Sequence, residues 1–372
     1  VAADHNVDPA LRWEHRHDWR RGKRNNPEIN EDGGGASTDE KAYGELRFAL
    51  GGATAVFGSG DIAGVLRDLD RTGSGDNGLG QPGASYDTFP LGDSDGTQLA
   101  DGCAYPDVSG PPGASIQAYA PHVSEGIDAE ARNEFLCLTG QGQGSQQTLD
   151  NRAAIIHGIG LTPVDVALMA STGIDLIWSP RSNISLYGDT ANVTEMARAG
   201  VSIALGTDWM PSRSMNMLRE LKCADDLNTV NFDKYFSDQA LWLMATLGSA
   251  RALGMDDAIG ALATGHKADI AIFANSGRQH HRAVIDAGVG DVALVLRGGL
   301  RVTGNSAVVN ALATGCDDLG DVCGSNKSAC LTRDIGKSWS ALQSAVGSPA
   351  YPLFFCGEPD SEPSCVPART LP

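Results

Sequence analysis

The chain has 372 residues, 41% of them hydrophobic, and a formal net charge of −18 at pH 7. This length favours one large domain with appendages over two unrelated small domains. The acidic balance argues against nucleic-acid binding, which requires a basic face, and no apolar run approaches the roughly 20 residues of a membrane-spanning helix.

The N-terminal 35 residues are polar and contain His15 and His17 within the charged run EHRHDWRR. No apolar run precedes this pair, so we expect a solvated or substrate-facing loop there and not a buried strand. Residues 40–57 then show a helical pattern followed by a short strand. Residues 72–102 are rich in Gly, Asp and Ser, which predicts a long surface loop interrupted by one short strand.

The centre of the chain alternates between strand and helix patterns. Three short apolar runs each end beside a Gly or Pro turn, which is typical of buried parallel strands, and segments of helical length separate them. The fold class is therefore α/β, in which functional residues collect at the carboxyl ends of strands. The runs are 153–156, 174–178 and 201–205, and the residues at or just after their ends are His157, Trp178 and Asp208.

These segments resemble the metal-dependent amidohydrolase superfamily, in particular its imidazolonepropionase, chlorohydrolase and deaminase branch. The central motifs are IIHGIGLT at 155–162, SPRSN at 179–183 and ALGTDWMPS at 204–212. Two longer stretches, 118–134 and 244–273, are similar to a barrel strand with its His-x-x-Glu pattern and to the helix that closes the barrel.

The resemblance covers most of residues 46–304 and implies a TIM-like (β/α)8 barrel with a small β-sandwich. We expect the barrel over residues 1–264, the sandwich strands over 265–305 and a Cys-rich extension over 306–372. The family's first barrel strand has no counterpart in the sequence, so we expect that strand, and part of the sandwich, to lie upstream of Val1.

The resemblance also implies a metal site. His157 and Asp208 would bind one divalent ion, because imidazole and carboxylate are the usual ligands of zinc and of iron. Zinc is the favoured ion and iron is the alternative. Asp208 would also be the general base that takes a proton from water. The family carries a His-x-His pair on its first strand. We expect that pair upstream of the sequence, with His15 and His17 as the alternative metal ligands.

Four further residues are expected to contact substrate. His122 and Glu125 match the His-x-x-Glu pattern, while Trp178 and Trp209 would form an aromatic wall for a flat or hydrophobic molecule. The chain departs from the family pattern at Gly160, where relatives often carry Glu, and at Trp178, where many carry His. These two departures weaken the expectation of aminopurine or pyrimidine deamination more than that of hydrolysis in general.

The chain has eight cysteines, and five of them follow Arg301 in a segment with few apolar residues. This pattern predicts disulfides and an oxidising compartment, whereas a zinc knuckle would require a His or a CxxC pair that the segment lacks. The expected pairs, chosen as nearest neighbours, are Cys316–Cys323, Cys356–Cys365 and, elsewhere, Cys103–Cys137.

The sequence therefore predicts a secreted or periplasmic metal-dependent hydrolase of C–N bonds in cyclic or linear amides. We expect its partner to be a small-molecule substrate, and we expect neither nucleic-acid binding nor a membrane span. A homo-oligomer is possible. One alternative is a deaminase or dechlorinase of a nitrogen heterocycle. The other is a metal-free protein of this fold that serves as a binding or structural component of an extracellular assembly.

Overall fold

The computed structural model describes residue 8 and residues 10–29, 35–58, 64–70, 78–108, 113, 115–312, 314–348 and 351–369. Its N-terminal part contains two helices. The first, α1, is Arg16–Arg21, followed by a short 3-10 turn at Lys23–Asn25, and the second, α2, is Thr38–Leu50. Ser37 and Glu40 form a capping box at the start of α2, which satisfies two of its free backbone N–H groups.

Seven short parallel strands follow, in two sheets. Strands β1 (Ala55–Val56) and β2 (Arg67–Asp68) pair with each other. The larger sheet has five strands in chain order, each parallel to its neighbour. They are β3 (Ser85–Asp87), β4 (Tyr119–Val123), β5 (Ala154–His157), β6 (Asp175–Trp178) and β7 (Ile203–Leu205).

Helices connect these strands and cover the sheet. The helix between β5 and β6 shows how the sequence sets where a helix begins and ends. Pro163 starts it, a capping box joins Thr162 to Asp165, and Gly173 ends it with φ 80. The helices are α3 (Ala129–Leu138), α4 (Pro163–Thr172), α5 (Pro180–Tyr187), α6 (Val193–Ala199), α7 (Met217–Val230), α8 (Asp238–Met244) and α9 (Leu247–Ala252).

The α/β architecture with a parallel sheet agrees with the sequence-based prediction. Among the described residues the five strands form an open row and not a closed barrel, because β3 and β7 are its two edges. The main core lies between this sheet and its helices, and includes Phe135, Ile155, Leu176 and Leu227, all nearly inaccessible to solvent. No helix in the described part of the chain is long and apolar enough to cross a membrane.

A third sheet, of five antiparallel strands, follows in the order β11-β12-β10-β9-β8. Gly298 and Gly299, both with positive φ, make the tight turn between β9 and β10. The strands are β8 (Ile270–Phe273), β9 (Val292–Arg297), β10 (Leu300–Asn305), β11 (Asp317–Val322) and β12 (Ser325–Ala329). The helices here are α10 (Arg282–Ile285), α11 (Ser306–Leu312), α12 (Leu331–Ile335) and α13 (Trp339–Val346), with a 3-10 turn at Val289–Asp291.

This sheet differs from the small sandwich that we predicted. Residues of α2 and α13, such as Leu46 and Leu342, pack with Val295 and Val302 of the sheet, so in the described part of the chain these helices lie against this face. Strands β11 and β12 come from the Cys-rich extension, which is therefore continuous with the sheet.

All eight cysteines are paired. The Cys103–Cys137 prediction is confirmed, but the two nearest-neighbour pairs in the tail are wrong. The β11–β12 hairpin gives the reason. It pairs Asp317 with Ala329, which brings their neighbours Cys316 and Cys330 together and leaves Cys323 at the far end of the hairpin. The remaining disulfides are Cys323–Cys356 and Cys223–Cys365.

Candidate metal centre

Three residues near the carboxyl edge of the parallel sheet have left-handed backbones. They are Ser124 (φ 56), His157 (φ 80) and Asp208 (φ 66). Such angles in residues other than glycine cost on the order of 1–3 kcal/mol each and concentrate at functional sites. Each residue stands at or just after the end of a parallel strand, so the strain marks one edge of one sheet.

His122, His157 and Asp208 come together at this edge. One potential ligand atom from each lies within 4.8 Å of the others. The two imidazoles lie side by side, with ring centroids 5.2 Å apart. His157 Nε2 lies 3.9 Å from Asp208 Oδ2. It is the one group of three or more such ligands that we find in the described part of the chain.

Both histidines have one ring nitrogen anchored to an oxygen atom. His157 Nδ1 lies 2.9 Å from Asn183 Oδ1, and His122 Nδ1 lies 3.2 Å from the Asp87 carbonyl oxygen. Asn183 Nδ2 donates to Thr190 Oγ1, which fixes the amide so that its oxygen faces His157. In both rings Nδ1 therefore carries the hydrogen and Nε2 keeps its lone pair, as in histidines that bind metals.

Two of the atoms that face the centre make no hydrogen bond to the described residues. His157 Nε2 and Glu125 Oε2 lie 3.6 Å apart, both are buried, and neither makes a hydrogen bond to any described residue. Two imidazole nitrogens and a carboxylate match the ligand set of a catalytic zinc or iron ion. The residues therefore fit a divalent metal.

The ionisable groups at the centre influence one another. Burial, and then the neighbouring His157, lower the pKa of His122 to about 4. Burial acts to raise the pKa of Glu125, but the electrostatic influence of the neighbouring His157 and Arg20 outweighs it and lowers that pKa well below its usual range. The site therefore favours a neutral His122 and an ionised Glu125, which are the forms that can donate electron pairs.

The carboxylates are held by hydroxyl groups. Ser182 Oγ donates to Asp208 Oδ2 and lies 2.7 Å from Ser212 Oγ. Tyr187 OH donates to Glu125 Oε1 over 2.8 Å, which leaves Oε2 as the free oxygen. Both carboxylates are thus oriented before any ligand binds.

Of the two predicted aromatic contacts, Trp209 stacks on Trp19 with ring centroids 4.9 Å apart. Trp178 does not line the centre, which corrects our assignment of it to substrate binding. Its ring is fully buried in the core against Phe232, and its Nε1 donates to Thr190 Oγ1 over 2.7 Å. The strand presents this side chain to the helices and not to the mouth of the sheet.

His15 and His17 lie outside the group formed by His122, His157 and Asp208. His17 Nε2 is 2.7 Å from Asp93, and His15 Nε2 is 3.3 Å from Glu134. Arg16 lies between them and forms ion pairs with both carboxylates. Its positive charge offsets one of the two carboxylate charges in this fully buried cluster, and both histidines already contact these carboxylates, which gives them a structural environment.

The sequence analysis missed the residues that hold the ligands. Ser182 and Asn183 lie in the SPRSN motif, which we used only as a family marker. Tyr187 gave no signal, because its contact with Glu125 joins residues 62 positions apart.

Residues 123–302 match the model described as the amidohydrolase family. This part of the chain belongs to the amidohydrolase family. The resemblance of the motifs is thereby confirmed. A 5-methylthioadenosine/S-adenosylhomocysteine deaminase of Thermococcus kodakarensis is 36% identical over 141 residues, which is 37% of this chain and 32% of the relative.

Two further proteins are similar to this chain. The enzyme of the same name from Desulforudis audaxviator is 36% identical over 120 residues, which is 32% of this chain and 28% of the relative. The matched part thus spans less than a third of either relative. A solved structure of an adenosine deaminase from Xanthomonas campestris with bound Zn has 19% identity and a TM-score of 0.48, over 74% of this chain and 73% of that one.

Proposed function

We propose that this protein is a metal-dependent hydrolase of C–N bonds, with His122, His157 and Asp208 as ligands of one divalent ion. The observation that carries the proposal is the convergence of their ligand atoms within 4.8 Å, with both imidazoles anchored through Nδ1. The unpartnered Nε2 of His157 favours this function over the metal-free scaffold. We favour zinc, with iron as the alternative.

The side chains have separate roles in the proposed reaction. A bound divalent ion lowers the pKa of water from about 16 toward roughly 7. Asp208 is the general base, which takes the proton of the attacking water and passes it to the leaving nitrogen. Glu125 Oε2, which is buried and has no hydrogen-bond partner among the described residues, accepts a hydrogen bond from an N–H of the substrate.

The proposed substrate is a small nitrogen heterocycle that loses an exocyclic group through C–N hydrolysis. The relatives from Thermococcus kodakarensis and Desulforudis audaxviator are named deaminases, which supports this class over the amides that we favoured from the sequence. The stacked pair of Trp19 and Trp209 supports the same substrate class, since a flat ring packs well on an aromatic surface.

His157→Ala is the direct test of the metal site. We expect the zinc affinity of the variant to fall by more than about 100-fold, which exceeds the usual effect of changing a residue that only orients a ligand. Metal content after dialysis and ammonia release from a panel of aminated heterocycles and amides would be measured. His280→Ala, at an exposed histidine, is the control. Equal metal content and turnover in His157→Ala and the parent would refute the proposal.

We further propose that the parallel sheet is part of a (β/α)8 barrel and that the protein works in an extracytoplasmic compartment. The pairing of all eight cysteines supports the second point. Thiol labelling of denatured, unreduced protein should detect no reactive cysteine, and eight reactive thiols would remove the support for that compartment. A homo-oligomer stays a prediction, which sedimentation of the purified protein can test.

A further inference from the structure

One short helix contacts three of the groups of the metal centre. Helix α5 has eight residues, and three of its side chains reach across to the ends of three different segments of the sheet. Each makes a hydrogen bond with a group that faces the centre. The contacts are Ser182 with Asp208, Asn183 with His157 at 2.9 Å, and Tyr187 with Glu125 at 2.8 Å.

A helix of two turns does not fix its own position. Isolated helices shorter than about 12 residues are marginal in water, so the place of α5 depends on what packs against it. Residues 362–369, which we call the C-terminal segment, pack along it. At the end of α5, the backbone N–H groups of Ala368 and Arg369 both donate to the Gly188 carbonyl oxygen over 3.0 Å. Arg369 Nε donates to the Tyr187 carbonyl oxygen over 2.9 Å.

The same segment holds the start of α5 through charge. Arg181 is 4% exposed, and its guanidinium donates to the Pro363 carbonyl oxygen and lies 3.3 Å from Glu362 Oε2. Glu362 also accepts hydrogen bonds from Arg219 of α7. One largely buried carboxylate thus joins two arginines, and its removal would leave both without that partner.

A disulfide fixes the segment midway between these two contacts. Cys365 pairs with Cys223 of α7, at a separation of 142 residues in sequence. The C-terminal segment therefore contacts α5 at both ends and is linked covalently to α7. Helix α5 lies between the parallel sheet and this cross-linked segment.

We propose that the C-terminal segment is a positioning element of the metal centre, and that the Cys223–Cys365 disulfide sets the metal affinity through α5. Loss of the disulfide loosens α5, and the oxygen atoms of Ser182, Asn183 and Tyr187 then no longer orient the groups that face the metal. This inference rests on the proposed function, because it requires that the centre binds a metal.

The test compares two double variants that each remove one disulfide. In Cys223→Ala/Cys365→Ala, we expect faster hydrogen–deuterium exchange in the peptide that covers residues 180–188. We also expect zinc affinity, measured by chelator competition, to fall about 10–100-fold, as for other residues that orient metal ligands. The control, Cys316→Ala/Cys330→Ala, removes a disulfide of the antiparallel sheet and should keep the parental exchange of α5 and the parental zinc affinity.

Glu362→Gln provides a second variant in case the first does not fold. It keeps the disulfide and removes the charge that joins Arg181 to Arg219, so a smaller effect in the same direction is expected. The inference would be overturned if either variant folds and shows faster exchange in α5 but keeps the parental zinc affinity. It would also be overturned if α5 stays fully protected from exchange in both variants. A parent protein that binds no zinc would instead refute the proposed function itself, and this inference with it.

Discussion

His157 ends a strand of the parallel sheet and Lys327 lies in a strand of the antiparallel sheet, and both are almost completely buried. The hydrogen bonding of their polar atoms is opposite. His157 Nε2 has no hydrogen-bond partner in the described part of the protein. Lys327 Nζ donates to the carbonyl oxygens of Gly290 and Val292 and to Asn305 Oδ1.

This difference separates a binding role from a structural one. A buried polar atom without a partner costs roughly 1–3 kcal/mol and therefore needs an explanation, which at His157 is the ligand atoms of His122 and Asp208 beside it. Lys327 is the opposite case. Burial lowers its pKa to about 8, yet three oxygen atoms satisfy its ammonium group, so its place in the sheet needs no ligand.

The largest effect should come from the parallel sheet. Asp208→Asn keeps the size of the side chain and its tolerance of the left-handed backbone, but the amide cannot take a proton from water. We expect the fold to be retained and kcat to fall about 10²–10⁴-fold, the usual contribution of a general base. Circular dichroism and steady-state kinetics would measure the two properties. A variant with parental kcat would exclude Asp208 as the base.

A smaller and purely structural effect is expected from the antiparallel sheet. Lys327→Met removes the donor for three buried acceptors and should lower the free energy of unfolding by about 1.5–3 kcal/mol. Urea denaturation measures this change, and Lys267→Met, at an exposed lysine, is the control. Zinc affinity should stay at the parental value. A loss of zinc affinity in Lys327→Met would show that the two sheets do not have the separate roles inferred here.

The smallest effect concerns Glu45 of α2, which is an intermediate case. Its Oε2 accepts the Leu66 N–H over 2.9 Å, while its Oε1 has no hydrogen-bond partner among the described residues. Burial raises its pKa to about 7, although the Leu66 N–H lowers it in part. Between its ordinary pKa and this value the folded state holds a proton that the unfolded state has released.

Stability from this group is therefore fully present at low pH and is lost as the pH rises through about 7. Glu45→Gln removes the titration, so its melting temperature should fall less between pH 5 and pH 8 than that of the parent. Thermal melts at a series of pH values measure the two slopes. Parallel curves would mean that Glu45 titrates normally in the folded protein.

The sequence was informative where the signal is local. The short apolar runs beside glycine placed His157 and Asp208 at strand ends, because both the strand and the turn are encoded within a few positions, whereas their assignment as metal ligands came from the family resemblance. Trp178 was misassigned, because four residues are too few for the apolar pattern to show which face of the strand a side chain takes.

Contacts across long separations were beyond the sequence. The link between Tyr187 and Glu125 depends on how α5 sits on the sheet, and no spacing encodes it. The disulfide pairs depend on the hairpin of β11 and β12. That hairpin went unrecognised, because its strands contain Asp, Gly and Asn, which are rare in strands.

The position of the C-terminal segment has a consequence for how the protein is made. A ribosome builds the chain from its N-terminus, so His122, His157, Asp208 and the whole of α5 emerge long before Cys365. Until that residue appears, Cys223 has no partner and α5 lacks its outer support. The residues of the proposed metal centre are synthesised before Cys365, and we expect their final arrangement to wait until that cysteine is available.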